Sequence, residues 1–410
     1  MDGPAPAPFQ PGGRVEPPYF IDREAELDEL SLAMAGLSAH YLVEGQRRVG
    51  KSSFLLNASN RARRENSRLA IIDIDCLQLG SVRDLADRIV QGTLAHYKDK
   101  HSVKGWLVLQ ATALEGAIRE ALGKIEKVTV KSVKRILTVF VDFREGRVDE
   151  MGLLREAFEF ADRFASEAGF GTVVLLDEVQ ELTKFEGAIF GLFKSVGDRA
   201  KNLRFVFSGS APRVLERVFF GKAGALYQMA LRISLGPLPE GETKRFIDAR
   251  LAAVALRAEA PAVDRWIALS GGIPFYVQRI GHAVYFQAMH ERRAAVDTGL
   301  VERACEQVML QMGGDFDARI SAKFSATQRR ILVVLSKRGP LRRVDLARAL
   351  ARKSTSISED LGKLVEWMEV VRERRGVYRM ADPLMAAWLS QSRFADQPVR
   401  PAGRRRRRPA

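Results

Sequence analysis

Apolar residues follow two rhythms along this chain. In its first part short unbroken apolar runs recur: His40-Tyr41-Leu42-Val43-Glu44, Leu69 to Asp75, Thr172 to Glu178, Leu203 to Ser210, and Arg232-Ile233-Ser234-Leu235. A strand covered on both faces needs apolar side chains at successive positions, so these runs predict buried strands of a parallel sheet. Helical spacing fills the gaps. Ser53 to Asn60 places Phe54, Leu55 and Ala58 together, Ser81 to Tyr97 opens on a Ser cap, and Met151 to Ala168 forms a third helix. Five strands with helices between them predict an α/β fold. Ahead of the sheet, Tyr19 to Leu30 turns into an amphipathic helix with Asp22 as its N-cap and Leu27, Leu30 and Leu37 on one face.

Past Gly236-Pro237-Leu238-Pro239 the rhythm becomes helical. It runs from Glu240 to about Arg293, broken at Ser270-Gly271-Gly272-Ile273-Pro274, where Gly pairs and Pro force a turn or a new start. Thr298 to Met312 follows as a connecting helix. Three further helices (Thr327 to Ser336, Arg342 to Ala351, Ser354 to Met368) precede a hairpin from Val370 to Met380 with a basic tip around Gly376. Three helices and a basic hairpin predict a winged helix, in which the third helix can enter a major groove while the hairpin touches phosphate. Use of such a module for protein contacts alone stays open, because Glu359, Asp360, Glu366 and Glu369 give the third helix mixed charge. The expected divisions are a disordered Pro/Gly-rich leader at 1–18, a core at 19–236 carrying an insertion at 98–147, a helical lid at 237–295, a connecting helix at 296–322, a winged helix at 323–392 and a basic tail at 393–410. Within the insertion, a helical piece from Ala113 to Ile125 and a hairpin from Val128 through Val141 are expected.

The chemistry concentrates at two strand ends. After the first strand comes Gly45-Gln46-Arg47-Arg48-Val49-Gly50-Lys51-Ser52, then Ser53 and a helix. Two glycines ahead of Lys and Ser, between strand and helix, turn backbone N–H groups and a helix N-terminus towards one point, which suits a polyphosphate. Lys51 would reach the β/γ-phosphates and the Ser52 hydroxyl would hold Mg²⁺. The strand ending in Asp177-Glu178 matches a Walker B arrangement, with Asp177 in the Mg²⁺ shell and Glu178 polarising the attacking water. Ser208 and Ser210, at the end of the next strand, either sense the γ-phosphate or cap the following helix.

Composition narrows the partners. The 410 residues carry a formal charge of +15, an excess that attracts polyanions whether or not a specific site exists. The run Arg404 to Arg408 adds a polyanion-binding or merely solvated tail. Cys76 and Cys305 stand apart and no His–Cys spacing occurs, so buried thiols are expected and zinc is not. With no long apolar run and no signal layout, a cytoplasmic protein without membrane partners is expected.

In the order of these features the chain resembles the archaeal-type ATPases, a branch of the AAA+ and STAND group of P-loop proteins related in layout to the origin-recognition ATPases. The resemblance rests on Phe20-Ile21-Asp22-Arg23-Glu24-Ala25-Glu26-Leu27, Gly45 to Ser52, Leu176 to Leu182, Phe207 to Ser210, Leu235 to Leu238, Gly271 to Pro274 and Tyr378 to Leu384 with Trp388. It implies a P-loop NTPase fold with a five-stranded parallel sheet, a helical lid and a C-terminal winged helix. It further implies that Phe20, Ile21 and Arg23 line the adenine side, and that Gly272 and Pro274 close over the nucleotide. Two departures stand out. Asp22 replaces the usual glycine, and Gln228-Met229 replaces Gly-Arg before the last strand, so Arg213, Arg217 and Arg232 remain candidates for a charge-stabilising finger. The resulting expectation is an Mg²⁺-dependent ATPase acting on DNA, a protein partner or a second copy of itself. The alternative is a nucleotide-holding DNA-binding switch that does not hydrolyse.

Overall fold

The computed structural model describes residues 7–100, 149–185, 188–210, 212–222, 224–373 and 376–394, so the expected insertion hairpin and the arginine tail lie outside the described residues. Two compact units result, one of residues 23–47 and 51–235, the other of the N-terminal residues to 22, the tripeptide 48–50 and the chain from 236 onward.

The first unit is a parallel sheet of β1 (His40–Glu44), β2 (Leu69–Asp75), β3 (Gly171–Asp177), β4 (Leu203–Gly209) and β5 (Ala230–Ser234) in the order β2-β3-β4-β1-β5. The five-stranded sheet expected from the apolar runs is therefore present. All seven residues of β3 are buried, as its unbroken apolar run requires. Around the sheet lie helices α1 (Glu24–Ala35), α2 (Lys51–Glu65), α3 (Val82–Lys100), α4 (Glu150–Ala168) and α5 (Ala188–Gly197). Ser81 caps α3 as predicted, its Oγ accepting from Asp84 N at 3.1 Å. Asp149 caps α4 from Gly152 N at 2.6 Å. Asp22 does not cap α1. The cap position falls on Arg23, which makes no side-chain cap hydrogen bond, and both residues sit in the left-handed region with φ of 54° and 78°. Under the sheet Phe158, Phe193, Phe205 and Phe207 pack edge to face at 5.2–5.7 Å.

The second unit is mostly helical: α6 (Glu240–Ala252), α7 (Ala260–Ser270), α8 (Pro274–His290), α9 (Thr298–Lys323), α10 (Ala326–Arg338), α11 (Arg343–Ala349), α12 (Ser358–Glu366) and α13 (Pro383–Gln391). The expected break at Ser270–Pro274 is the α7–α8 junction, and a second break after α6 leads into β6 (Arg257–Ala258), which pairs with β7 (Ala295–Val296). The connecting helix runs well past Met312. Near the C-terminus β8 (Leu341–Arg342), β9 (Val370–Arg372) and β10 (Val377–Met380) form an antiparallel sheet in the order β8-β10-β9, so the predicted hairpin gains a third strand.

The N-terminal stretch differs from the disordered leader expected. From residue 7 it is a strap on the helices of this unit: Phe9 is 1 % exposed and packs on Phe246 and Trp266, Gln10 N donates to Gln278 Oε1, and Arg250 Nε donates to Pro8 O. The composition suggested solvation, but a single aromatic with a prepared pocket is enough to order the segment. Both cysteines are buried and free, as expected, and burial raises both thiols. Among the described residues no helix is long and apolar enough to cross a membrane.

His40 staples β1 to its surroundings. Its Nδ1 accepts from Phe205 N at 2.9 Å, and burial, helped by Arg204, pushes the imidazole down from 6.5 to about 4. The folded form holds this ring neutral, so protons are taken up by the unfolded chain first. Its contribution is intact above pH 6.5 and is lost as pH falls from 6.5 towards 4. We expect the urea midpoint of the wild type to fall more steeply across that window than that of His40→Gln, checked by unfolding series from pH 7 to pH 4.5.

Candidate functional site

Parallel register brings the chemistry to one edge of the sheet. Asp75 pairs with Asp177, Leu176 with Phe207, and Glu44 with both Gly209 and Ser234. Strands that start level end level, so the C-terminal ends of β1, β3 and β4 present Glu44, Asp177 and Ser208 to the same side, where open α/β sheets take ligands.

From β1 the chain passes through Gly45, Gln46 and exposed Arg47 to Arg48 and Gly50, both with positive φ (72° and 91°), and enters α2 at Lys51. A side chain at position 50 would be strained there, which accounts for glycine. Lys51 is nearly buried, and its ammonium donates to Gly45 O at 3.1 Å and Gln46 O at 3.3 Å. Burial lowers its pKa, while Glu178 and Asp177 oppose the shift, so the ammonium faces both carboxylates of the β3 end. Ser52 Oγ donates to Asp177 Oδ2 at 2.6 Å, joining the first turn of α2 to the end of β3. Ser53 is buried behind them and Val49 is 1 % exposed.

Glu178 follows Asp177 in the left-handed conformation, φ 54°, with its N–H donating to Asp177 Oδ1 at 3.0 Å. Its Oε2 accepts from Ser210 Oγ at 2.9 Å and from Gln180 Nε2, while Gln180 Oε1 accepts from Ser210 N at 3.4 Å. Ser210 therefore belongs to the acidic cluster. Ser208 differs, being wholly buried with a hydroxyl that has no hydrogen-bond partner among the described residues. Such an orphan costs free energy where it stands, which is expected of a group kept for a ligand.

The residues present fit a nucleotide with Mg²⁺. A hydroxyl and a carboxylate at hydrogen-bond distance offer hard oxygens to one cation. Among the described residues no cluster of three or more His, Cys, Asp or Glu could hold a metal ion.

The other predicted positions are divided between the two units. Phe20 and Ile21 belong to the helical unit, Ile21 buried in its core, whereas Arg23 is buried at the head of α1. Gly272 accepts from Leu238 N through its carbonyl at 2.8 Å, and Pro274 starts α8. A Cβ on Gly50 would lie 3.9 Å from Pro274 Cγ. Of the arginines, Arg217 is exposed, the Arg213 side chain lies outside the described residues, and Arg232 is committed. Its Nε donates to Glu44 Oε1 at 2.7 Å, and its guanidinium covers the Phe220 ring at 4.5 Å. The same Glu44 oxygen accepts from Ser234 Oγ at 2.9 Å. Sequence reasoning missed Glu44, and it gave Gln180, quoted within the run Leu176 to Leu182, no role at the site. A charged residue closing an apolar strand was the available signal for the first, and the glutamine two places after Glu178 for the second.

No family model matches the chain, and no curated protein matches it. Solved structures do. The Walker-type ATPase of Pyrococcus abyssi superposes with a TM-score of 0.65 at 20 % identity, covering 93 % of this chain and 99 % of its own. The ORC2 protein of Aeropyrum pernix, solved as ADPNP–ADP complexes, gives 0.60 at 14 % identity over 93 % and 95 %. The chain thus has the fold of the P-loop ATPases along nearly its whole length.

Because Glu44 is buried and both its described partners sit on β5, Glu44→Ala should destabilise the protein by about 1–2 kcal/mol, read as a lower urea midpoint with an unchanged slope.

Proposed function

We propose that the protein binds ATP with Mg²⁺ at the loop Gly45–Ser52 and hydrolyses it to drive or switch its interaction with DNA or a protein partner. The observation that carries this reading is the hydrogen bond between Ser52 and Asp177, with Lys51 over the loop and Glu178 next in the chain. The fold shared with two ATPases, one solved with ADPNP and ADP, supports it.

The roles follow from the donors present. Lys51 leaves the carbonyls of Gly45 and Gln46 and donates to the β/γ-phosphates. Ser52 and Asp177 would hold Mg²⁺, which supplies neutralisation of the developing phosphate charge. Glu178 accepts a proton from the attacking water, oriented by Ser210 and Gln180. Ser208 offers its free hydroxyl to the γ-phosphate. The commitment of Arg232 to Glu44 favours turnover that is slow or depends on an arginine from a partner. We read the module of α10–α12 and β8–β10 as a winged helix. Exposed Arg342, Arg343, Arg348 and Lys353 give it the charge for a nucleic-acid backbone.

Lys51→Ala should weaken ATP binding at least tenfold by calorimetry. Glu178→Gln should bind ATP normally yet lose about 10²–10⁴-fold in turnover; wild-type turnover in that variant would remove Glu178 from the role of base. Binding of duplex DNA should weaken by orders of magnitude between low and physiological salt, measured by fluorescence anisotropy, and a flat salt profile would exclude a phosphate-contacting surface.

A further inference from the structure

Arg48 stands in the middle of the phosphate loop, where a cation would be expected to serve the phosphates, yet its side chain is engaged elsewhere. Within the helical unit its Nη1 donates to Tyr276 Oη at 2.7 Å, and its guanidinium lies 5.2 Å from the Phe275 ring centroid and 5.6 Å from those of Tyr276 and Phe316. The backbone is held as well: Phe275 N donates to Arg48 O at 3.4 Å, and Arg48 occupies the left-handed region. A weaker contact at 3.5 Å reaches exposed Asp315.

The chain of hydrogen bonds continues. Tyr276 Oη donates to Asp382 Oδ2 at 2.5 Å, and the other oxygen of Asp382 accepts Met385 N at 2.9 Å, capping α13. Asp382 and Tyr276 are buried, and burial raises both their pKa values. Burial disfavours the charge on Asp382, and the Tyr276 hydroxyl, the Met385 amide, and the positive charges of Arg319 and Arg48 oppose that effect. Each member depends on the next. Arg48 polarises the phenol, the phenol holds the carboxylate, and the carboxylate fixes the first turn of the C-terminal helix. The sequence Asp382-Pro383-Leu384, so far without a role, is thus the far end of a line that begins three residues before Lys51.

We propose that Arg48, Tyr276 and Asp382 form a relay through which the conformation of the phosphate loop and the seating of α13 bias one another. The proposal rests on the reading of that loop as the ATP site. Any rearrangement of residues 45–52 around phosphate moves the backbone that carries Arg48, and with it the partner of Tyr276. The coupling is reciprocal, so disturbing Asp382 changes ATP affinity even though Asp382 lies outside the loop.

The test uses the full chain and a non-hydrolysable ATP analogue with Mg²⁺. Calorimetry reports binding, and amide hydrogen exchange reports protection of residues 383–391. In the wild type, bound analogue should change exchange of that helix at least threefold. In Tyr276→Phe, which keeps the ring and removes the hydroxyl, the analogue should still bind and the response at 383–391 should vanish. Asp382→Asn serves the same purpose if Tyr276→Phe does not fold, and the wild-type response alone decides if neither folds. Binding without any change at 383–391 in the wild type overturns the relay, as does a response that survives in the variants. Absence of binding by the wild type overturns the ATP reading and the relay together.

Discussion

One hydrogen bond, Ser52 to Asp177, sets the conditions for everything proposed at the site. It joins a helix start to a strand end separated by 125 positions in sequence, and the two strands concerned, β1 and β3, are not neighbours. β4 lies between them, so the distance across the bond is fixed by the packing of that central strand. This explains why a phenylalanine cluster on β4 and a histidine on β1 matter to a site they do not touch. Phe205 and Phe207 set how β4 sits on its helices, and His40 locks the Phe205 amide to β1. Site geometry is a by-product of core geometry here, and volume changes in the core transmit to it because a close-packed interior does not deform smoothly.

Among the described residues, carboxylates are held in two distinct ways. Glu369 is met by Arg319 and Lys323, and Glu44 by Arg232. Those groups are neutralised where they stand, and removing either partner would leave a costly unpaired charge. Asp177 and Glu178 are hydrogen-bonded instead by hydroxyls, an amide and a backbone N–H, with the Lys51 ammonium facing them. Neutral donors fix the direction of a carboxylate without cancelling its charge. A cation can then be attracted without first displacing an arginine.

How much of this could be read from sequence depended on whether the determinants were local. The five strands and the phosphate loop were legible because an apolar run or a glycine spacing carries its own physical reason within ten residues. The carboxylate pair at the end of β3 was legible for the same reason. Features whose partners lie far away were not. Nothing near Glu44 announces Arg232, and nothing near Phe9 announces Trp266. Arg48 is expected among the nucleotide-binding residues because of its place in the loop, while its side chain is engaged by aromatic residues more than two hundred positions later. The cap of α1 failed at the level of backbone angles, since Asp22 and Arg23 both take a left-handed conformation that composition does not reveal. β8 is two residues long and exists through pairing with β10, so no periodicity could mark it.

The strap has a consequence for how the sequence can drift. A Cβ built on Gly281 would lie 2.4–2.7 Å from the ring atoms of Phe9, so the two positions share a single volume. Any side chain at 281 must evict the aromatic ring at 9, and any smaller residue at 9 opens space that 281 can fill. Substitutions at these two sites, 272 positions apart (281 less 9), should therefore appear as compensating pairs rather than singly. The N-terminal segment is then constrained by the helix Pro274–His290, although its composition alone resembles that of an unconstrained linker.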